Sequence, residues 1–173
     1  QVLALVARRG REIGGDTAQL AELAGEQERA LRRLVSAADA TPRGDTTSDI
    51  GAMLRRRASD RVSVSVPAEP VLLDAAVAEE FFAAVTNALD NAEAHAGPDA
   101  RAYVLLEDLG DSVTVSVRDD GGGIPEGRLE AAVREGRVGV AKSIVGRMNW
   151  LGGRAELSTG PGMGTEWELT VPR

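Results

Sequence analysis

The sequence predicts a two-layer α/β sandwich preceded by a helical hairpin, and three observations carry that expectation. Apolar and polar residues alternate over 61–66, 112–118, 154–158 and 165–171, the period of two that marks half-buried strands, and 101–107 holds a further short apolar run. Between the first and second of these runs, Val77, Phe81, Val85, Leu89 and Ala92 recur at helical spacing and define one apolar face. Residues 1–40 show a narrow leucine stripe and no strand signal. Strands with helices packed on one side make a two-layer sandwich.

In chain order, residues 1–13 read as the end of a helix stopped by Gly14-Gly15, and Asp16 with Gln19 forms a capping-box-like start for the next. Leu20, Leu23, Gln27, Ala30 or Leu31, and Leu34 fall near a three-four repeat, a seam easiest to bury against a second copy in a four-helix bundle. Thr41-Pro-Arg-Gly-Asp45 breaks the helix and reads as a hinge. Thr47 or Ser48 is expected to cap a helix running to about Ser59, and Arg61-Val-Ser-Val-Ser-Val66 opens the sheet. The long helix follows, then a hairpin turning at Asp108-Leu-Gly-Asp111, a short lid over 122–139, a helix from about Val140 to Leu151, and two closing strands. The expected division is 1–40 helical, 41–60 linker and short helix, and 61–173 globular.

At 173 residues the chain can hold one compact domain with a sizeable core and an appendage. Lys and Arg total 20 against 27 Asp and Glu, a net charge of -7, which argues against nucleic acid as the main partner. Cysteine is absent, excluding a disulfide framework and thiolate metal sites. No run approaches eighteen apolar residues and no signal peptide is visible, so a cytoplasmic setting is expected.

Three separated clusters fit one nucleotide site. Asn87 and Asn91 lie four apart and stack on one side of the long helix. A neutral amide offers a carbonyl oxygen to Mg2+, an ion that keeps most of its waters and takes other ligands from phosphates. Asp119 ends the strand 112–118 and opens Asp119-Asp-Gly-Gly-Gly-Ile-Pro125; a carboxylate there can accept the amino hydrogens of adenine, and Gly121 and Gly123 are expected to let backbone approach the ring and phosphates. Gly162-Met-Gly-Thr165 supplies the third cluster.

These residues resemble the catalytic half of two-component sensor histidine kinases, with the ATPase fold shared by gyrase, Hsp90, histidine kinases and MutL. Asn87-x-x-x-Asn91 matches the N box, Asp119-x-Gly121-x-Gly123 the G1 box, Gly136 to Val140 a reduced G2 box, and Gly162-x-Gly164-Thr165 the last glycine and threonine element. Arg137-Val-Gly-Val-Ala-Lys-Ser-Ile-Val-Gly-Arg147, Leu151-Gly-Gly153 and Val171-Pro-Arg173 are similar to actinobacterial MacS-type sensors, in the branch serving NarL-type response regulators. Gln1-Val-Leu-Ala-Leu-Val6 looks like the tail of that branch's phosphoacceptor motif; the acceptor histidine is then expected just before residue 1, and Gln1 is the glutamine that orients water in dephosphorylation.

The resemblance implies ATP and Mg2+ as cofactors, transfer of the γ-phosphoryl group to a histidine outside these residues, and a NarL-type response regulator as partner. It implies a homodimer in the intact protein, anchored to a membrane only through upstream regions. Asn91 would ligate Mg2+ with Asn87 in support, Asp119 would read adenine, and His95, Gly121, Gly123, Ile124, Arg137, Gly139, Val140 and Thr165 would complete the nucleotide site. His95 complements the helix dipole or contacts ATP, and Ala94 stands where many relatives carry a phosphate-reaching lysine, leaving Arg137 or Lys142 for that charge. Arg147 is expected to be a structural ion-pair partner. Two other classes remain open: a serine kinase of the anti-sigma-factor type, and a non-catalytic interaction module of the same fold.

Overall fold

The structure, a computed structural model, describes residues 46–125, 127, 128 and 139–173. The chain divides into two compact units, Gln1–Gly44 and Asp45–Arg173. The expected helical hairpin, the hinge, Gln1 and most of the lid lie outside the described residues.

The elements of the second unit run β1 (Thr47–Asp49), α1 (Ile50–Arg55), β2 (Val62–Ser65), β3 (Leu72–Asp74), α2 (Ala75–His95), β4 (Ala102–Asp108), β5 (Ser112–Asp119), α3 (Gly139–Trp150), β6 (Arg154–Thr159) and β7 (Thr165–Pro172). A five-stranded sheet has the order β2-β4-β5-β7-β6. β2 and β4 are parallel, as the intervening α2 crossover requires. The other pairs are antiparallel, including the expected hairpin, which pairs Ala102 with Asp119 and Asp108 with Val113.

Alternation along the strands places Val62, Ala102, Val104, Leu106, Val113, Val115, Val117, Trp167, Leu169 and Val171 in the core. The helices cover that face. From α2 come Ala78, Phe81, Ala84, Val85, Ala88, Leu89 and Ala92, all buried, and from α3 come Ile144 and Met148. The predicted two-layer α/β sandwich is therefore the fold of the described residues. On the opposite face Thr114 and Thr170, paired across β5 and β7, join their hydroxyls at 3.0 Å.

The start of this unit differs from expectation. Thr47–Asp49 is a strand, pairing antiparallel with β3, and neither Thr47 nor Ser48 caps the helix. Asp49 does so: its Oδ1 accepts the Gly51 N–H at 2.9 Å and also the Val71 N–H at 3.2 Å. One carboxylate thus closes a helix end and holds the chain entering β3. The helix itself stops at Arg55, short of Ser59. Ser59 turns the chain into β2 instead, its hydroxyl accepting the N–H groups of Arg61 at 3.3 Å and Val62 at 3.2 Å.

Candidate functional site

α2 begins at Asp74, whose Oδ1 accepts the Ala76 and Val77 N–H groups at 2.9 and 3.4 Å, satisfying two of the donors left open at a helix start. With the apolar stripe turned to the sheet, Asn87 and Asn91 occupy the half-buried flank. Asn87 donates through Nδ2 to the Ser143 hydroxyl of α3 at 3.4 Å, which leaves its carbonyl oxygen unengaged among the described residues. The Asn91 side chain has no hydrogen-bond partner among those residues. Two turns back on α2, Glu80 pairs with Arg147 of α3, so Arg147 is the ion-pair partner that its helical position predicts. His95 is exposed in the last turn of α2.

Asp119 ends β5 and is only 4% exposed. Its Oδ1 accepts two backbone donors, Gly121 N–H at 2.9 Å and Thr165 N–H at 3.3 Å, while Oδ2 has no partner among the described residues. Both donors hold that oxygen and orient the carboxylate. Asp119 lines a small pocket that Arg61, Glu93 and Arg101 share with Ala92, Ala96, Ala100 and Ala102. A buried carboxylate with one oxygen held and the other without a partner among the described residues suits an amino donor.

The glycines beside it serve a purpose that the sequence reading did not foresee. A β-carbon on Gly121 would overlap the Ala96 carbonyl oxygen and lie 2.7 Å from the Ala96 Cα. Gly123, at φ 65°, would overlap the Gly160 carbonyl oxygen. Gly164, at φ 72°, would overlap the carbonyl oxygen of Asp119 itself. At Gly121 and Gly123 the side-chain positions are filled by neighbouring protein backbone, a packing reason for glycine beside the expected approach to a nucleotide.

Thr159, which motif reading passed over, joins these loops. Its hydroxyl accepts the Ile124 N–H at 3.0 Å and donates to the Gly164 carbonyl at 2.8 Å, and the Thr165 hydroxyl lies 3.4 Å away. The Gly162 N–H donates to the Gly122 carbonyl at 2.8 Å, a second tie between the same segments. Ile124 and Thr165 are half-buried. Gly139 and Val140 form the first turn of α3, Lys142 is exposed on it, and Arg137 lies outside the described residues.

The donor set fits a magnesium nucleotide better than a protein-caged metal. Among the described residues no group of three or more His, Cys, Asp and Glu could hold an ion, so a cation here would draw on the asparagine carbonyl oxygens and on phosphate. No helix among those residues is long and apolar enough to cross a membrane.

No curated protein matches the chain significantly. Among solved structures, the histidine kinase domain of the Erythrobacter litoralis blue-light activated histidine kinase aligns with TM-score 0.59 at 24% identity, over 99% of this chain and 83% of that one. The longer form of that kinase aligns with TM-score 0.52 at 28% identity, over 71% of this chain and 39% of that one. The ATP binding domain of PrrB from Mycobacterium tuberculosis aligns with TM-score 0.56 at 25% identity, over 75% of this chain and 98% of that one. Residues 76–173, more than half of the chain and including the asparagine pair, Asp119 and Thr165, match the family profile of this ATPase superfamily. The chain belongs to the histidine kinase-, DNA gyrase B- and HSP90-like ATPase family.

Proposed function

We propose that this chain carries the ATP-binding catalytic domain of a sensor histidine kinase, which passes the γ-phosphoryl group of MgATP to a histidine and then to a NarL-type response regulator. The observation that carries the nucleotide reading is Asp119: it is buried, with one oxygen locked by two backbone N–H groups and the other open beside the end of α2. Family membership, the likeness to a blue-light activated histidine kinase and the likeness to the ATP binding domain of PrrB support this reading.

When bound, MgATP supplies the transferable group. Asp119 accepts the amino group of adenine through Oδ2, and the fixed plane of its carboxylate restricts the direction of that bond. Asn91 presents its amide oxygen to Mg2+. Asn87, turned by Ser143, keeps its own oxygen toward the metal or the phosphates. Thr165 contributes at the phosphate end, and a positive charge from Arg137 or Lys142 neutralises the triphosphate. Catalysis of this kind depends mainly on positioning and charge compensation. The intact protein acts as a homodimer, the usual way to bury a leucine seam such as that of residues 20–34.

The test is a calorimetric titration with ATP and a non-hydrolysable analogue, with and without Mg2+. Adenine-dependent binding strengthened by Mg2+ is expected. Absence of binding at millimolar nucleotide would transfer the chain to the class of non-catalytic interaction modules.

A further inference from the structure

The nucleotide reading assigns Asp119 to adenine, but nothing in that reading says what holds Asp119 and its loop in register. Three segments meet at this point: the end of β5 with residues 119–124, the end of β6 at Thr159, and the start of β7 at Gly164 and Thr165. One side chain touches all three. The Thr159 hydroxyl accepts from Ile124, donates to the Gly164 carbonyl, and sits 3.4 Å from the Thr165 hydroxyl. Gly164 in turn lies against the Asp119 carbonyl, and the Thr165 N–H grips Asp119 Oδ1.

We infer that Thr159 is a positioning residue for nucleotide selectivity. Its hydroxyl fixes the Gly164-Thr165 backbone, and that backbone sets the direction of the open oxygen of Asp119. The inference rests on the proposed ATP site. A carboxylate oxygen held in one direction accepts the adenine amino group and repels the carbonyl oxygen that guanine carries at the same place. Loss of the Thr159 hydroxyl removes both of its bonds, leaves the Ile124 N–H and the Gly164 carbonyl to find water, and loosens the Thr165 tether on Asp119 while that from Gly121 stays. Binding of ATP then weakens more than binding of GTP.

The experiment compares the unmodified chain, Thr159→Val and Thr159→Ser in parallel titrations with ATP and GTP, alongside thermal unfolding of each. Thr159→Val is expected to weaken ATP binding by about tenfold, the effect of one or two lost hydrogen bonds, and to reduce the preference for ATP over GTP. Thr159→Ser keeps the hydroxyl and restores both affinity and preference. If Thr159→Val binds ATP as tightly as the unmodified chain, or loses ATP and GTP affinity by equal factors, the inference is overturned while the ATP site stands. If the unmodified chain binds no ATP, the proposed site itself fails. Should Thr159→Val not fold, hydrogen exchange in the unmodified chain decides: protection of the Ile124 amide that rises on adding ATP supports the inference, and protection that ATP leaves unchanged overturns it.

Discussion

Replacing Asp119 by Asn separates the recognition role of this residue from its structural one. Asp119 Oδ1 receives the N–H groups of Gly121 and Thr165 at 2.9 and 3.3 Å, so an asparagine at this position must turn its single oxygen toward the same two donors. Its amide nitrogen then occupies the place of Oδ2 and presents hydrogens where adenine also presents hydrogens. The loop geometry is kept, and the acceptor for adenine is lost. A hydrogen bond to a charged partner contributes about 1.5–3 kcal/mol, so Asp119→Asn should weaken ATP binding by about 10- to 150-fold. Folding stability should fall much less, by about 1 kcal/mol, because both backbone bonds survive as neutral ones. Calorimetric titration with ATP gives the first quantity and urea unfolding the second. Undiminished ATP affinity in a folded Asp119→Asn would refute the assignment of Asp119 to adenine; a stability loss as large as the binding loss would show that the carboxylate matters mainly to the loop.

Three further outcomes are expected. Gly121→Ala forces a β-carbon onto Ala96 and should lower stability by about 1–3 kcal/mol, whereas Gly122→Ala, with nothing within 4 Å of the added atom, should change it by less than about 0.5 kcal/mol; equal urea midpoints for the two would contradict the packing described. The cross-strand Thr114–Thr170 pair should show a coupling of about 0.5–1 kcal/mol in a double-mutant cycle to valine, and additive effects would remove it as a contributor to the sheet. Incubation with labelled MgATP should leave no phosphohistidine on this chain, because its single histidine, His95, belongs to the helix that carries the asparagine pair; acid-labile label retained on His95 would overturn that expectation.

Much of the sandwich was legible because its signals are local. The β4–β5 hairpin shows a short apolar run and an alternating run on either side of a turn-forming Asp-Leu-Gly-Asp, and α2 repeats its apolar face over 21 residues. β1 and β3 were not legible, since three residues are too few to display a period and their pairing joins positions about 25 apart. The first helix cap was misplaced for a related reason. Thr47, Ser48 and Asp49 are all acceptable caps, and the choice of Asp49 depends on Val71, a residue reached only through the tertiary fold.

The candidate site shows the same division between local signal and tertiary cause, with a consequence for how its motifs are interpreted. Asn87, Asn91 and Asp119 were recognisable because their chemistry is written in residue type and spacing, and the fold leaves the Asn87 and Asn91 oxygens and Asp119 Oδ2 without partners among the described residues. Thr159 was not recognisable, since a threonine at a strand end becomes informative only when Ile124 and Gly164 are seen on either side of it. The glycines fall between these cases. A β-carbon on Gly121, Gly123 or Gly164 would meet the backbone of Ala96, Gly160 or Asp119 respectively. A glycine signature of this kind therefore reports at least that the three loops can close together, a condition for building the pocket. Loss of nucleotide binding on substituting one of these glycines would follow from the loops parting, even if the added side chain never neared the nucleotide. Residues with open polar atoms, Asp119 foremost, carry the direct test of recognition, and a positioning residue such as Thr159 can be tested only through its effect on them.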